Sequence, residues 1–233
     1  MNELLVAVGV NDRDAAEAAL ASGAKIDGVL QKGFSHPKAG YIYAGSTPLY
    51  HAGRKGRLRM IDWLLSKGAD IDGACFQQET PLLALCRQGA ALKSVLRILK
   101  HGPDLNVQNP DQETPLHFAV NREKLKVVQA LLDAGARVDI GKADENYGVD
   151  GKPTYTPLYR AAVSGLTEIS VVLLKAGADP NTGTADRWLI NPLGMAIKNE
   201  DKVLITALLA HGAKTEDPYL SEDLRTRLAR LAP

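Results

Sequence analysis

The chain has 233 residues, 45% of them apolar, so it can bury a core, and 28 basic against 27 acidic side chains leave a net charge of +1. That balance gives no bulk attraction to nucleic acid or to an anionic membrane, so neither is expected as a partner. Two cysteines, Cys75 and Cys86, are too few for a disulfide-stapled secreted fold or a four-thiolate zinc site, and a free, partly buried thiol is expected.

In chain order, the apolar run at residues 4–10 meets Asn-Asp-Arg-Asp at once. It is too short for a signal sequence or a membrane span, so it predicts a first helix and a cytoplasmic chain. Thr-Pro-Leu then begins at Thr47, Thr80, Thr114 and Thr156, with Asn-Pro-Leu at Asn191, in steps of 33, 34, 42 and 35. A second marker, Gly-Ala, runs in phase at Gly23, Gly68, Gly135, Gly177 and Gly212, with Gly102-Pro103 in the remaining place. Two phase-locked markers near a 33-residue period define a repeat architecture.

Each letter has a mechanical reason. Thr accepts backbone N–H groups at a helix start, and Pro at the first helical position loses no hydrogen bond. Small residues follow (Ala52, Ala84, Ala119, Ala161, Ala162, Ala196), allowing close helix approach. Gly56, Gly89 and Gly165 supply a positive-φ turn, and Asn11 holds the same slot in the first repeat. Glu123 and Glu200 occupy it in the fourth and sixth, where strain or a different turn is expected. Second helices follow with one apolar face (Met-Ile-Asp-Trp-Leu-Leu from Met60, Val-Val-Gln-Ala-Leu-Leu from Val127), and the Gly of Gly-Ala ends each.

These residues resemble the ankyrin repeat over about residues 1–215, most closely in Thr114–Asp139 and Thr156–Asn181. The resemblance implies an all-α ankyrin-repeat solenoid of about six helix-turn-helix repeats with short β-hairpin-like fingers and a C-terminal capping helix. The expected array covers 1–216, with repeats at about 1–27, 28–72, 73–106, 107–140, 141–181 and 182–214. Residues 217–233 form the cap, with Ser221 starting a helix whose stripe is Leu220, Leu224, Leu228 and Leu231. The family histidine at the fourth position is kept only at His117. Tyr50, Leu83 and Tyr159 replace it, so those turns are expected to be held differently.

Two insertions, residues 29–46 and 141–155, map to the projecting fingers. Seven of the twelve aromatic residues lie in fingers: Phe34, Tyr41, Tyr43, Phe76, Tyr147, Tyr155 and Trp188, the last beside Arg187. Such side chains anchor interfaces or pack on a neighbouring finger. By the family resemblance the residues before each turn face a concave groove: Arg54-Lys55, Arg87-Gln88, Asn121-Arg122, Val163-Ser164 and Lys198-Asn199. Four of these five pairs carry a base and none an acid, which reads as a stripe for an acidic partner or as solvated surface charge. Asp111 and Glu113 weaken it near the fourth repeat.

No catalytic residue, metal or cofactor is expected. The five histidines are scattered, and His101 and His211 precede helix-ending glycines, where they complement the helix dipole. Asp144, Glu145 and Asp150 lack the spacing of a calcium loop. The expected function is non-catalytic binding of another protein, as adaptor or inhibitor, by a chain that is monomeric when unbound. Alternatives are a bacterial immunity protein that blocks a toxin and, from another class, a nucleic-acid binder or an enzyme.

Overall fold

The computed structural model describes residues 2–73, 78–141, 155–182, 191–215 and 222–231. They belong to two compact units, Met1–Pro110 and Asp111–Pro233. The first holds helix pairs α1 (Asn2–Val10) and α2 (Arg13–Ala21), α3 (Pro48–Arg54) and α4 (Leu58–Ser66), and α5 (Pro81–Arg87) and α6 (Leu92–Leu99). Between α2 and α3 stands a hairpin of β1 (Phe34–His36) and β2 (Gly40–Ile42). The second unit holds α7 (Pro115–Asn121) and α8 (Leu125–Asp133), α9 (Pro157–Val163) and α10 (Thr167–Lys175), α11 (Pro192–Lys198) and α12 (Lys202–Ala210), then α13 (Glu222–Leu231).

First helices stack on first helices, α1 on α3 on α5 and α7 on α9 on α11, and second helices on second, α4 on α6 and α8 on α10 on α12. The small residues expected at these contacts are closed off from solvent, Ala52, Ala84, Ala161, Ala162 and Ala196 completely. The first helices α3, α5, α7, α9 and α11 start on their predicted caps: the Thr47 hydroxyl accepts from Tyr50 N at 3.1 Å, and Asn191 Oδ1 accepts from Gly194 N at 2.8 Å. The Thr47 hydroxyl also donates to the Gly73 carbonyl at 3.0 Å, so one side chain caps its helix and ties down the next finger. Acidic residues at the finger bases repeat this tie. The Asp72 carboxylate accepts from Asp104 N at 3.1 Å, and Asp139 Oδ1 from Asp179 N at 3.1 Å.

At the end of a second helix, Gly68 N–H reaches the Leu65 carbonyl and Ala69 N–H the Leu64 carbonyl, the paired bonds of a left-handed helix stop. The turns within repeats are uniform. Gly56, Gly89 and Gly165 have φ of 63°, 67° and 68°, Asn11 has 65°, and Glu123 and Glu200 have 55°. The glutamates therefore adopt the same turn with the strain that glycine avoids. The cap helix α13 packs on α11, and of its leucine stripe Leu228 is buried and Leu231 partly so. Ser221 and Leu220, and the Leu224 side chain, lie outside the described residues.

The first insertion is a built element. Gly45 N–H closes its base on the Leu30 carbonyl at 2.9 Å. β1 and β2 pair antiparallel with Phe34 opposite Ile42, and His36 Nδ1 accepts from Lys38 N and Ala39 N to close the turn. Leu30, Ala39 and Ile42 bury against Leu5 of α1, with Phe34, Val6 and Val10 packed around them. Of the second insertion only Gly141 and Tyr155 are described; residues 142–154 lie outside the described residues, as do Asp144, Glu145 and Asp150.

One buried polar residue lies against the first helix pair. His51 in α3 is fully buried, and neither ring nitrogen has a hydrogen-bond partner among the described residues. It packs under α1 at Gly9, where a Cβ would come within 2.8 Å of Nε2 and 2.7 Å of the Ala39 Cβ. Burial, reinforced by Arg54, Lys55 and Arg57, pushes the imidazole down to about 4 from an ordinary 6.5. The folded chain thus resists a proton that the unfolded chain accepts below pH 6.5. Stability is full above that pH and falls as pH drops towards 4, by about 3 kcal/mol from this group. His51→Leu is expected to remove this acid sensitivity and to raise neutral-pH stability by about 1 kcal/mol. Urea midpoints at neutral and acidic pH measure both. A second expectation follows from the strained turn: Glu123→Gly raises stability by roughly 0.5–1 kcal/mol, read as a higher melting temperature.

Candidate protein-binding surface

The predicted groove residues all sit at the ends of first helices, Arg54, Arg87, Asn121, Val163 and Lys198 as the last helical residue and Lys55, Gln88, Arg122, Ser164 and Asn199 as the cap that follows. A seven-residue helix starting at Pro places those two positions one to two turns from the finger, where the chain reverses. Lys55, Gln88, Asn121, Arg122, Val163 and Lys198 are exposed, and Arg54 and Arg87 are half-buried.

In the N-terminal unit the hairpin meets this surface. Tyr41 and Tyr43 are 49% and 39% exposed, large for aromatic side chains, with ring centroids 4.8 Å apart and edges to faces. Arg54 reaches up to them: Nη2 donates to the Tyr41 carbonyl at 2.7 Å, and the guanidinium lies 4.9 Å from the Tyr43 ring centre. Such a contact is worth about 0.5–1 kcal/mol at an exposed site.

Arg87 is built differently. Its Nη2 lies 3.0 Å from Oε2 of Glu79, whose side chain is buried and which also accepts from the Tyr50 hydroxyl at 2.8 Å. Tyr50 therefore bonds the finger base across repeats, where the family histidine would bond its own turn. His117 does the latter: Nδ1 meets Thr114 N and Oγ1 at 3.2 and 2.9 Å, and Nε2 meets the Tyr155 carbonyl at 3.0 Å.

In the C-terminal unit Asn121 is held by Glu113 at 3.3 Å and by Arg160 Nε at 2.7 Å, with Arg160 Nη2 3.9 Å from Glu113. Tyr155 stands edge-on to Tyr159 at 5.5 Å, with φ of 51°, and burial raises the Tyr159 hydroxyl to about 12. Tyr155 thus packs on its neighbour. Phe76, Tyr147, Arg187 and Trp188 lie outside the described residues, as does Cys75. Cys86 is fully rather than partly buried, and burial lifts its thiol to about 12, which leaves no reactive thiolate.

Reading the basic stripe from helix ends alone misses Glu79, which partners Arg87, and Arg57, which extends the charge at α3. The signal for Glu79 was available: the residue before Thr-Pro-Leu is Glu at both Glu79 and Glu113. Among the described residues no group of three or more His, Cys, Asp or Glu side chains is placed to hold a metal ion. No helix among them is long and apolar enough to cross a membrane.

A family model for ankyrin repeats (3 copies) matches residues 4–109 and 82–184, so the chain belongs to the ankyrin-repeat family. Rabankyrin-5 of Mus musculus is similar, 36% identical over 216 residues that cover 91% of this chain and 17% of that protein. The human transient receptor potential cation channel subfamily A member 1 is 26% identical over 181 residues, 74% of this chain and 15% of its own length. The chain therefore spans less than a fifth of the curated relatives it matches first. An ankyrin repeat domain from Acinetobacter baumannii has a similar fold, with a TM-score of 0.72 and 29% identity over 91% of this chain and 98% of that one. The ankyrin repeat is a protein-interaction module and a typically non-catalytic scaffold.

The Tyr50–Glu79 bond places a neutral donor on a buried carboxylate. Tyr50→Phe removes it and is expected to cost roughly 1.5–3 kcal/mol, measured by urea unfolding.

Proposed function

We propose that this chain is a non-catalytic adaptor or inhibitor that docks a protein partner through its concave groove and fingers. In this reading it is a cytoplasmic monomer until the partner binds, and the partner presents an acidic face. The observation that carries the reading is the pair Tyr41 and Tyr43, left exposed on an ordered hairpin beside Arg54. Tyrosine and arginine are favoured interface anchors, and the hairpin that presents them is already packed on α1. A preordered surface loses little conformational freedom on docking. Gln88 and Phe76 of the first unit, and separately Arg122, Tyr147, Arg187, Trp188 and Lys198 of the second, are further candidate contacts in this reading.

Affinity capture from the native host, quantified by mass spectrometry, is expected to recover one protein in stoichiometric amount. Tyr41→Ser with Tyr43→Ser, and separately Lys198→Glu, are expected to lower that recovery about tenfold, or about 1.4 kcal/mol, with unchanged far-UV circular dichroism. Recovery of no stoichiometric protein, or equal recovery by every folded variant, sinks the reading.

A further inference from the structure

The turn joining α3 to α4 reads Arg54-Lys55-Gly56-Arg57. Arg54 ends α3, Lys55 caps it, Gly56 reverses the chain at φ 63°, and Arg57 precedes α4, so three cations crowd one reversal. Four arginines elsewhere are matched: Arg87 by Glu79, Arg97 by Asp62, Arg160 by Glu113 and Arg227 by Glu200. Among the described residues, Arg54, Lys55 and Arg57 make no ion pair. The Nε atoms of Arg54 and Arg57 are also buried, with no acceptor among the described residues. Lys55 is exposed, yet its ammonium sits below the usual lysine range, first through partial loss of hydration and then through Arg54 and Arg57. Like charges held together with unmet donors cost free energy that a bound anion offsets.

The hairpin roofs this cluster. Arg54 bonds the Tyr41 carbonyl and underlies the Tyr43 ring, and Lys55 Nζ lies 3.1 Å from where a Cβ on Gly40 would stand. Cations and exposed aromatic faces are thereby presented side by side. The charge is confined to one turn of a chain whose net charge is +1, too short a track for the run of phosphates along a nucleic acid. Guanidinium groups match carboxylates in geometry, and tyrosine rings accept the aliphatic stems that carry them.

We propose that Arg54, Lys55 and Arg57, with Tyr41 and Tyr43 of the inserted hairpin, anchor a segment of a partner protein rich in Asp and Glu. This rests on the protein-binding reading and narrows it to one repeat and one partner chemistry. The probe is a fluorescein-labelled peptide of repeated Glu-Glu-Leu, titrated against the full chain by fluorescence anisotropy at low salt. Saturable binding is expected, weakened about tenfold or more by Arg54→Glu with Arg57→Glu, and weakened again on raising NaCl to about 0.15 M. Lys55→Glu, an exposed change, is expected to weaken it as well and decides the matter if the double variant does not fold. The charge-matched Lys126→Glu with Lys175→Glu is expected to bind as the parent does. No saturable binding by the parent, equal affinity in the folded Arg54 and Lys55 variants, or tighter binding of a short single-stranded RNA overturns the proposal. A captured host protein held equally well by parent and Arg54→Glu/Arg57→Glu overturns this anchor while leaving protein binding intact.

Discussion

A helix of seven residues followed by one of nine cannot enclose an interior, so each pair shields its apolar stripe only against the pair beside it. The caps, turns and small residues of this structure serve that packing. The alanines on the first helices are small because neighbouring helices approach there, and they are closed off completely or nearly so. The threonine caps, the left-handed glycines and the Asp-to-backbone ties between fingers act on spacing. They hold each pair at the one displacement that lets the next pair cover it.

Against that apolar background the buried polar groups stand out, and they fall into two kinds. Glu79 is satisfied from both sides, by Tyr50 of the preceding repeat and Arg87 of its own, so its carboxylate joins two repeats. His51 is satisfied by nothing among the described residues and stays neutral under a positive field. Both cases involve adjacent residues of α3, Tyr50 and His51, where that helix meets the following finger on one side and α1 with the inserted hairpin on the other. Local composition and global packing disagree there, as is common where a surface has been shaped for something other than stability.

The hairpin changes what the first helices of this unit can present. A plain finger would leave Arg54 and Lys55 as solvated ends of α3. With the insertion, β2 reaches Arg54, two tyrosines are held beside it, and the cations are brought under an aromatic roof. The hairpin in turn rests on α1, because Leu30, Ala39 and Ile42 share one apolar cluster with Leu5, Val6 and Val10. A surface feature is thus anchored in the core of the first repeat.

The order of the helices, their caps, their turns and the places of the insertions were legible in the sequence because each is set by neighbours within a few residues. Thr-Pro sets a helix start, Gly-Ala a stop, and a residue in the turn slot adopts positive φ even when it is Glu123. The resemblance added the stacking. The destinations of the charges were decided only by tertiary structure. Arg54, Arg87 and Asn121 occupy equivalent sites one repeat apart. Arg54 meets a carbonyl and a tyrosine, Arg87 a buried glutamate, and Asn121 a glutamate and an arginine. A polar side chain's partner lies outside its own helix or in another repeat, 8 to 39 residues away for Asn121, and its strength depends on burial, a property of the assembled stack and not of the local string.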